Sequence, residues 1–251
     1  MDDIIQSLWI GNKLSKLEIC SMISFIKNGH TYHLYTYGPL ENVPEGVIIK
    51  DGNDILDSSE IFRYQNGSPS AFSNLFRYTL LYKRGGYWVD TDIICNRPFN
   101  FDGEYLFITE PDKDYINSIL TPSVLKAPAG NEYYKYAIKL CYQLKELVLS
   151  GKMKWGMGPR TIEALVNQYD LHRYKVKWDT FMTCFCFHFP SMINPDYKPH
   201  PLMISKPNEI PEHMVGIHFW NECFRRHNLD KDDTFHKGSL YEYFKKKYNV
   251  K

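Results

Sequence analysis

The amino-acid sequence predicts an α/β fold with a mixed, mainly parallel sheet flanked by helices. Three observations carry that prediction. Residues 4–49 alternate β-prone and helix-prone stretches, the pattern of parallel strands joined by helical crossovers. Helical periodicity then recurs over about 71–83, 131–149 and 160–169, with short apolar runs between. Finally, Gly85-Gly86 separates one of these helices from an aromatic run that ends in two aspartates.

Taken in order, Ile4 to Ile10 reads as a short buried strand, and Gly11-Asn12 turns the chain. Ser15 can cap a helix running to about Lys27, with Glu18 at capping-box spacing and Ile19, Met22, Ile23 and Ile26 on one face. Asn28-Gly29 stops it. Tyr32 to Thr36 is a strand, and Val47 to Ile49 another after the Pro44 to Gly46 turn. Gly67-Ser68-Pro69-Ser70 opens a helix over Ala71 to Lys83, with Leu75, Tyr78, Thr79 and Tyr82 at helical spacing. Gly85-Gly86 ends it, and Tyr87-Trp88-Val89 is a strand that delivers Asp90-Thr91-Asp92 at its C-terminal end.

Strands are expected at Tyr105 to Thr109 and Ile116 to Leu120, and an amphipathic helix at Asn131 to Leu149. After the Gly156-Met157-Gly158-Pro159 loop, Arg160 to Tyr169 is helical. Phe181 to Phe189, with its histidine and aromatics, reads as a core strand more readily than as a site. Asn194 to Pro211 is a proline-rich surface loop, Val215 to Trp220 a last core strand and Leu240 to Lys247 a terminal helix. With no repeat, low-complexity tract or linker, residues 1–251 form one predicted domain.

Composition narrows the function. A chain of 251 residues, 43% apolar and 16% aromatic, can bury a sizeable core. A net charge of +1 argues against a nucleic-acid partner, because duplex binders carry a basic excess. The six cysteines form no C-x-x-C pair, so they read as reduced, buried thiols of a cytoplasmic protein. Met1-Asp2-Asp3 is acidic where a signal peptide needs basic residues, and no apolar run is long enough to span a bilayer. The prediction is a cytoplasmic chain, or one trimmed of an anchor. Lys245, Lys246 and Lys247 read as a solvated last helical turn, with peripheral membrane contact as the alternative.

Two aspartates one residue apart also read, alone, as solvated charges on one strand face. Here they end an aromatic strand at the edge where open α/β sheets bind ligands. Hard divalent cations such as Mg²⁺ and Mn²⁺ take one or two carboxylates plus substrate phosphates, which makes the pair a candidate diphosphate clamp.

The stretch Ser70-Ala71-Phe72-Ser73-Asn74-Leu75-Phe76-Arg77-Tyr78, followed by Leu81-Tyr82-Lys83-Arg84-Gly85-Gly86-Tyr87-Trp88-Val89-Asp90-Thr91-Asp92, resembles the sugar-binding region of the D-x-D glycosyltransferases. These include capsular and lipooligosaccharide sugar transferases and yeast mannosyltransferases, and they are related to the catalytic domains of large glucosylating toxins. Ile4-Ile5-Gln6-Ser7-Leu8-Trp9-Ile10-Gly11, Gly158-Pro159 and Ile217-His218-Phe219-Trp220-Asn221 are similar to the family's other motifs, in the same order. The resemblance implies a glycosyltransferase-A-like, Rossmann-like fold. It also implies a retaining transfer from a nucleoside diphosphate sugar, commonly a UDP-sugar, to a glycan, lipid-linked or protein acceptor, with Mn²⁺ or Mg²⁺ as cofactor.

Roles carried over residue by residue place the metal on Asp92, with Asp90 assisting or contacting the donor. Arg77 would reach the donor sugar or its phosphates; a surface salt bridge is its plainer reading. Asn74 stands where the family usually has aspartate, keeping an acceptor oxygen but losing the charge. His218 matches a metal-side histidine and could also be a satisfied core histidine. Trp9 and Ile10 would bracket the base or simply be buried. Trp220 and Asn221 would close over the diphosphate, and Gly158-Pro159 would shape the acceptor side. Two rivals remain: a binding module on a transferase-like fold, which Asn74 keeps open, and a metal-dependent nucleotidyltransferase using the same acidic pair.

Overall fold

A computed structural model describes residues 4–251. Met1, Asp2 and Asp3, on which the prediction of a leaderless start rests, lie outside the described residues. Among the described residues no helix is long and apolar enough to cross a membrane.

The first half follows the predicted order: β1 (Ile5–Leu8), α1 (Lys16–Lys27), β2 (Tyr32–Thr36), β3 (Val47–Asp51), α2 (Ser70–Arg84) and β4 (Gly86–Val89). The Ser15 backbone amide donates to Glu18 Oε2 at 2.9 Å, completing the expected cap of α1. Gly85 ends α2 at φ 65°, ψ −161°, a conformation open in practice only to glycine. A Cβ there would also lie 2.5 Å from the Ala129 nitrogen. The chain reverses in this one residue and enters β4.

After β4 come β5 (Ile93–Cys95), β6 (Leu106–Pro111), β7 (Ser118–Ala127), α3 (Glu132–Leu149), α4 (Met157–Gln168) and β8 (Lys175–Val176). The C-terminal part holds β9 (Gly216–His218), α5 (Asn221–Arg226) and α6 (Leu240–Lys247). One sheet has the order β3-β2-β1-β4-β7-β6-β8, and β5 pairs with β9 in a separate two-stranded sheet. Strands β3, β2, β1 and β4 run parallel; β7 is antiparallel to both β4 and β6, and β8 is parallel to β6. The sheet is therefore mixed and mainly parallel, as the alternation predicts.

Strand alternation divides the core in two. Ile5, Tyr87 and Val89 face a cluster with Leu17, Phe25 and Tyr32, while Leu8 and Trp88 face one with Phe72, Phe76 and Ile162. Helix α1 lies over the first cluster, and α2, α3 and α4 pack successively over the second.

Several elements depart from expectation. Phe181 to Phe189 is no strand: the backbone carbonyls of Thr180, Phe181 and Thr183 accept from Val215, His218 and Ile204, and residues 186–192 turn into a 3₁₀ helix before and through Pro190. Scattered long-range bonds hold this segment, which the aromatic run alone could not show. The strand placed at Ile116 to Leu120 starts at Ser118 and continues through Pro122, where the pairing with β6 jumps from Phe107↔Leu125 to Ile108↔Thr121. This bulge spares Pro122 a ladder hydrogen bond it cannot donate.

Gly158-Pro159 is the first turn of α4, where helix amides need no partner, and not a loop before it. The strand predicted at Val215 to Trp220 shortens to β9 outside the main sheet. The lysine cluster also differs from expectation: Lys245 is buried, pairing with Glu242 at 2.6 Å and donating to Asp233 O at 2.9 Å. Only Lys246 and Lys247 of the three face outward. All six cysteines are free; five are buried and Cys186 is half-buried.

Candidate functional site

The C-terminal ends of β1, β4 and β6 open on a cavity of about 690 Å³, within the range of small-molecule sites. Every residue proposed from sequence lines it: Trp9, Ile10, Asn74, Arg77, Asp90, Asp92, His218, Trp220 and Asn221, together with Gly158 and Pro159.

Asp90 follows β4 directly, and its backbone amide donates to Ser123 O of β7 at 2.8 Å. Its Oδ1 accepts from Trp88 Nε1 at 2.8 Å and meets Arg77 Nη2 at 3.1 Å. Oδ2 accepts from none of the described residues. Burial pushes this carboxyl above the ordinary range; Arg77 opposes that and the Asp92 charge adds to it.

Arg77 is buried, so the surface salt bridge considered from sequence is instead an interior one. Its Nε and Nη2 donate to Ser73 O and Ser73 Oγ at 3.2 and 3.1 Å, its Nη1 donates to Pro122 O, and its guanidinium stacks 4.8 Å from the Trp88 ring. One side chain thus ties α2, the β7 bulge and the first aspartate together, and most of its donors serve the protein.

Asp92 is held from the C-terminal part of the chain. Phe219 N donates to its carbonyl at 2.9 Å, Asn221 N donates to Oδ2 at 2.6 Å, and His218 Nε2 lies 3.3 Å from Oδ2. Trp220 makes this possible by adopting φ 52°, ψ 59°, rare for a bulky residue and characteristic of functional turns. Burial opposes the charge on both partners, yet His218 and the Asn221 amide hold Asp92 below the usual carboxylate range, and Asp92 raises His218 above the usual imidazole range.

The two motifs lie 126 positions apart in sequence and meet here because β5 pairs Ile93 with His218 of β9. Asp92 Oδ1, His218 Nδ1 and Trp220 Nε1 are buried without a hydrogen-bond partner. Unpaired polar atoms at this depth are costly and ask for a ligand. Among the described residues no three His, Cys, Asp or Glu side chains gather closely enough to hold an ion alone. The fit is therefore to a hard divalent ion taking one or two carboxylates here and its other ligands from phosphate and water.

Asn74 donates from Nδ2 to Ser70 O at 2.8 Å, and its Oδ1 lies against Gly158, where a Cβ would collide with it. Trp9 keeps its ring in place through Nε1 to Lys13 O at 3.1 Å, with Lys231 Nζ 5.2 Å from the ring centroid. Ile10 is half-buried beside it. Sequence reading missed Glu110, whose carboxyl burial pushes up to about 7, and Trp155, which lines the cavity half-exposed. For Glu110 the available signal was an acid closing the apolar run Leu106-Phe107-Ile108.

Residues 18–117 match the family described as "Glycosyltransferase sugar-binding region containing DXD motif". These residues are thus similar to a DXD-type sugar-binding region. That region supplies Asn74, Arg77, Asp90, Asp92 and Glu110, while Trp9, His218, Trp220 and Asn221 reach the cavity from outside it. No curated protein sequence matches the chain.

Among solved structures the glycosyltransferase fold is similar to the apo-form glycosyltransferase GlyE of Streptococcus pneumoniae TIGR4. The TM-score is 0.54 at 14% identity, over 99% of this chain and 60% of that one, so this chain spans three fifths of that protein's length. This is the glycosyltransferase-A-like fold. The PaToxG glycosyltransferase aligns with TM-score 0.49 and 15% identity, over 67% of this chain and 69% of that one. The UDP-bound glycosyltransferase domain from the YGT toxin aligns with TM-score 0.44 and 11% identity, over 96% and 81%.

Proposed function

We propose that this glycosyltransferase moves a sugar from a UDP-sugar to a hydroxyl acceptor, with retention at the anomeric carbon and Mn²⁺ or Mg²⁺ at Asp90 and Asp92. The observation that carries the reading is the buried, unpartnered Asp92 Oδ1 at the end of the strand, facing a cavity of nucleotide-sugar size. When bound, a divalent ion there neutralises charge on a departing diphosphate.

The chain's own residues do the rest. Trp88 and Arg77 fix Asp90, and His218 with the Asn221 amide fixes Asp92, so that neither carboxylate reorganises when the donor arrives. Trp9 and Ile10 form an apolar wall for the base, and Trp220 and Asn221 stand over the diphosphate end. In transfer, the acceptor oxygen bonds to the anomeric carbon as the carbon–oxygen bond to the diphosphate breaks. The acceptor's proton passes to the departing phosphate oxygen on the same face. Support for retention and for uridine comes from the family resemblance.

The acceptor class is a glycan, a lipid-linked glycan or a protein hydroxyl, which mass spectrometry of the product separates. Proton NMR of the protein incubated with UDP-glucose, UDP-galactose or UDP-N-acetylglucosamine and Mn²⁺ tests the reading. The expected product is released UDP with an α-configured sugar formed first. A β-configured first product overturns retention, and tight binding without turnover leaves a binding module.

A further inference from the structure

Glu110 is a buried acid that the scheme above does not use. It is the next-to-last residue of β6 and pairs with Ile119 of β7. Because β6 and β4 are both antiparallel to β7, Glu110 emerges at the same sheet edge as Asp90. It is 6% exposed, and that remaining access is on the cavity it lines. Among the described residues nothing donates a hydrogen bond to its carboxylate, and no cation stands within ion-pair distance.

A carboxylate kept dry and unpaired destabilises the fold, so a site that retains one does so for a ligand's donors. The chemistry of that ligand group follows by elimination. In its ionised form the Glu110 carboxylate only accepts, so diphosphate oxygens, which also only accept, are repelled. Glu110 joins no described group of three acidic, histidine or cysteine side chains that could hold an ion, and its one charged neighbour of consequence is His218, which Asp92 already engages at 3.3 Å. What remains is a neutral group with O–H donors.

We propose that Glu110 is a sugar-recognition residue, accepting a hydroxyl hydrogen bond from the substrate at the end of the cavity away from the base. This rests on the nucleotide-sugar reading. The hydroxyl belongs either to the transferred sugar or to the acceptor, for which water substitutes in hydrolysis.

The test compares wild type, Glu110→Gln and Glu110→Ala with UDP alone and with whichever of UDP-glucose, UDP-galactose and UDP-N-acetylglucosamine the wild type hydrolyses, all with Mn²⁺. UDP affinity stays within roughly twofold in both variants, because no contact to the nucleotide is removed. In Glu110→Ala, the kcat/KM for hydrolysis falls roughly 10- to 100-fold, the usual cost of losing a hydrogen bond to a charged group. A matching loss of UDP-sugar affinity assigns the hydroxyl to the donor sugar; unchanged affinity with a lower kcat assigns it to the acceptor side.

Thermal unfolding supplies the control. Glu110→Gln melts at or above wild type, because an unpaired buried charge has been removed. Variants that hydrolyse and bind like wild type overturn the proposal, as does a melting point that falls together with UDP affinity, which marks a structural role. Failure of the wild type itself to bind UDP with Mn²⁺ removes the nucleotide-sugar reading instead.

Discussion

Asn74 stands where the resembling family has aspartate, so Asn74→Asp is the substitution a family comparison suggests as a repair. The structure predicts that it destabilises this chain. Asn74 is 6% exposed, and its Nδ2 donates to Ser70 O at 2.8 Å. Aspartate has no donor there, so an oxygen would face a carbonyl oxygen. Losing that bond costs about 1 kcal/mol, and an unsatisfied buried carboxylate adds roughly 1–3 kcal/mol. Arg77, one turn along α2, already commits four of its five N–H donors to Asp90, Pro122 O and Ser73, which limits what it can offer a new carboxylate.

The total of roughly 2–4 kcal/mol corresponds to a Tm lowered by roughly 4–16 °C in a chain of this size. Urea unfolding followed by circular dichroism, with calorimetry for Tm, measures it. A variant that melts at or above wild type would show that Asn74 is not held as described.

Three further predictions concern the cavity. Gly158→Ala drives a methyl into Asn74 Oδ1 and to 2.8 Å from Pro122 Cγ, and lowers stability by about 1–3 kcal/mol in urea titration; an unchanged midpoint would mean the α2–α4 contact yields freely. Trp9→Ala weakens Mn²⁺-dependent UDP binding roughly 5- to 150-fold by calorimetry, the value of a lost base stack, and unchanged affinity would remove Trp9 from the base site. The third prediction concerns pH. Glu110 titrates near 4.5 when unfolded and, raised by burial, near 7 when folded, so the folded state loses stability as pH rises through that window. The melting advantage of Glu110→Gln is therefore small below pH 4.5, grows to about 3 kcal/mol by pH 7 and then levels off. A pH-independent difference between the two proteins contradicts the unpaired carboxylate.

Local signals carried the first half of the fold. The Ser15-x-x-Glu18 box, the glycine pair after α2 and the alternation of Tyr87, Trp88 and Val89 each act within a few residues, and the structure forms those elements where expected. What the sequence left dark depends on distant partners. Strand β5 exists because β9 pairs with it, and Phe181 to Phe189 is irregular because the carbonyls of Phe181 and Thr183 serve residues 218 and 204.

The site shows the same division. Asp90 and Asp92 were legible because a glycine-bounded strand ends in them. That Arg77 serves Asp90, and that His218 meets Asp92 through Nε2, needs the three-dimensional packing. Lys245 shows the converse: its neighbours in sequence suggest solvent, while Glu242 and Asp233 O receive its ammonium inside the protein.

The most direct test of the acidic pair is a calorimetric titration of UDP into wild type and Asp92→Ala, each with Mn²⁺ and again with chelator. The account predicts saturable binding only for wild type with Mn²⁺. Equal binding by Asp92→Ala, or by wild type in chelator, would contradict it.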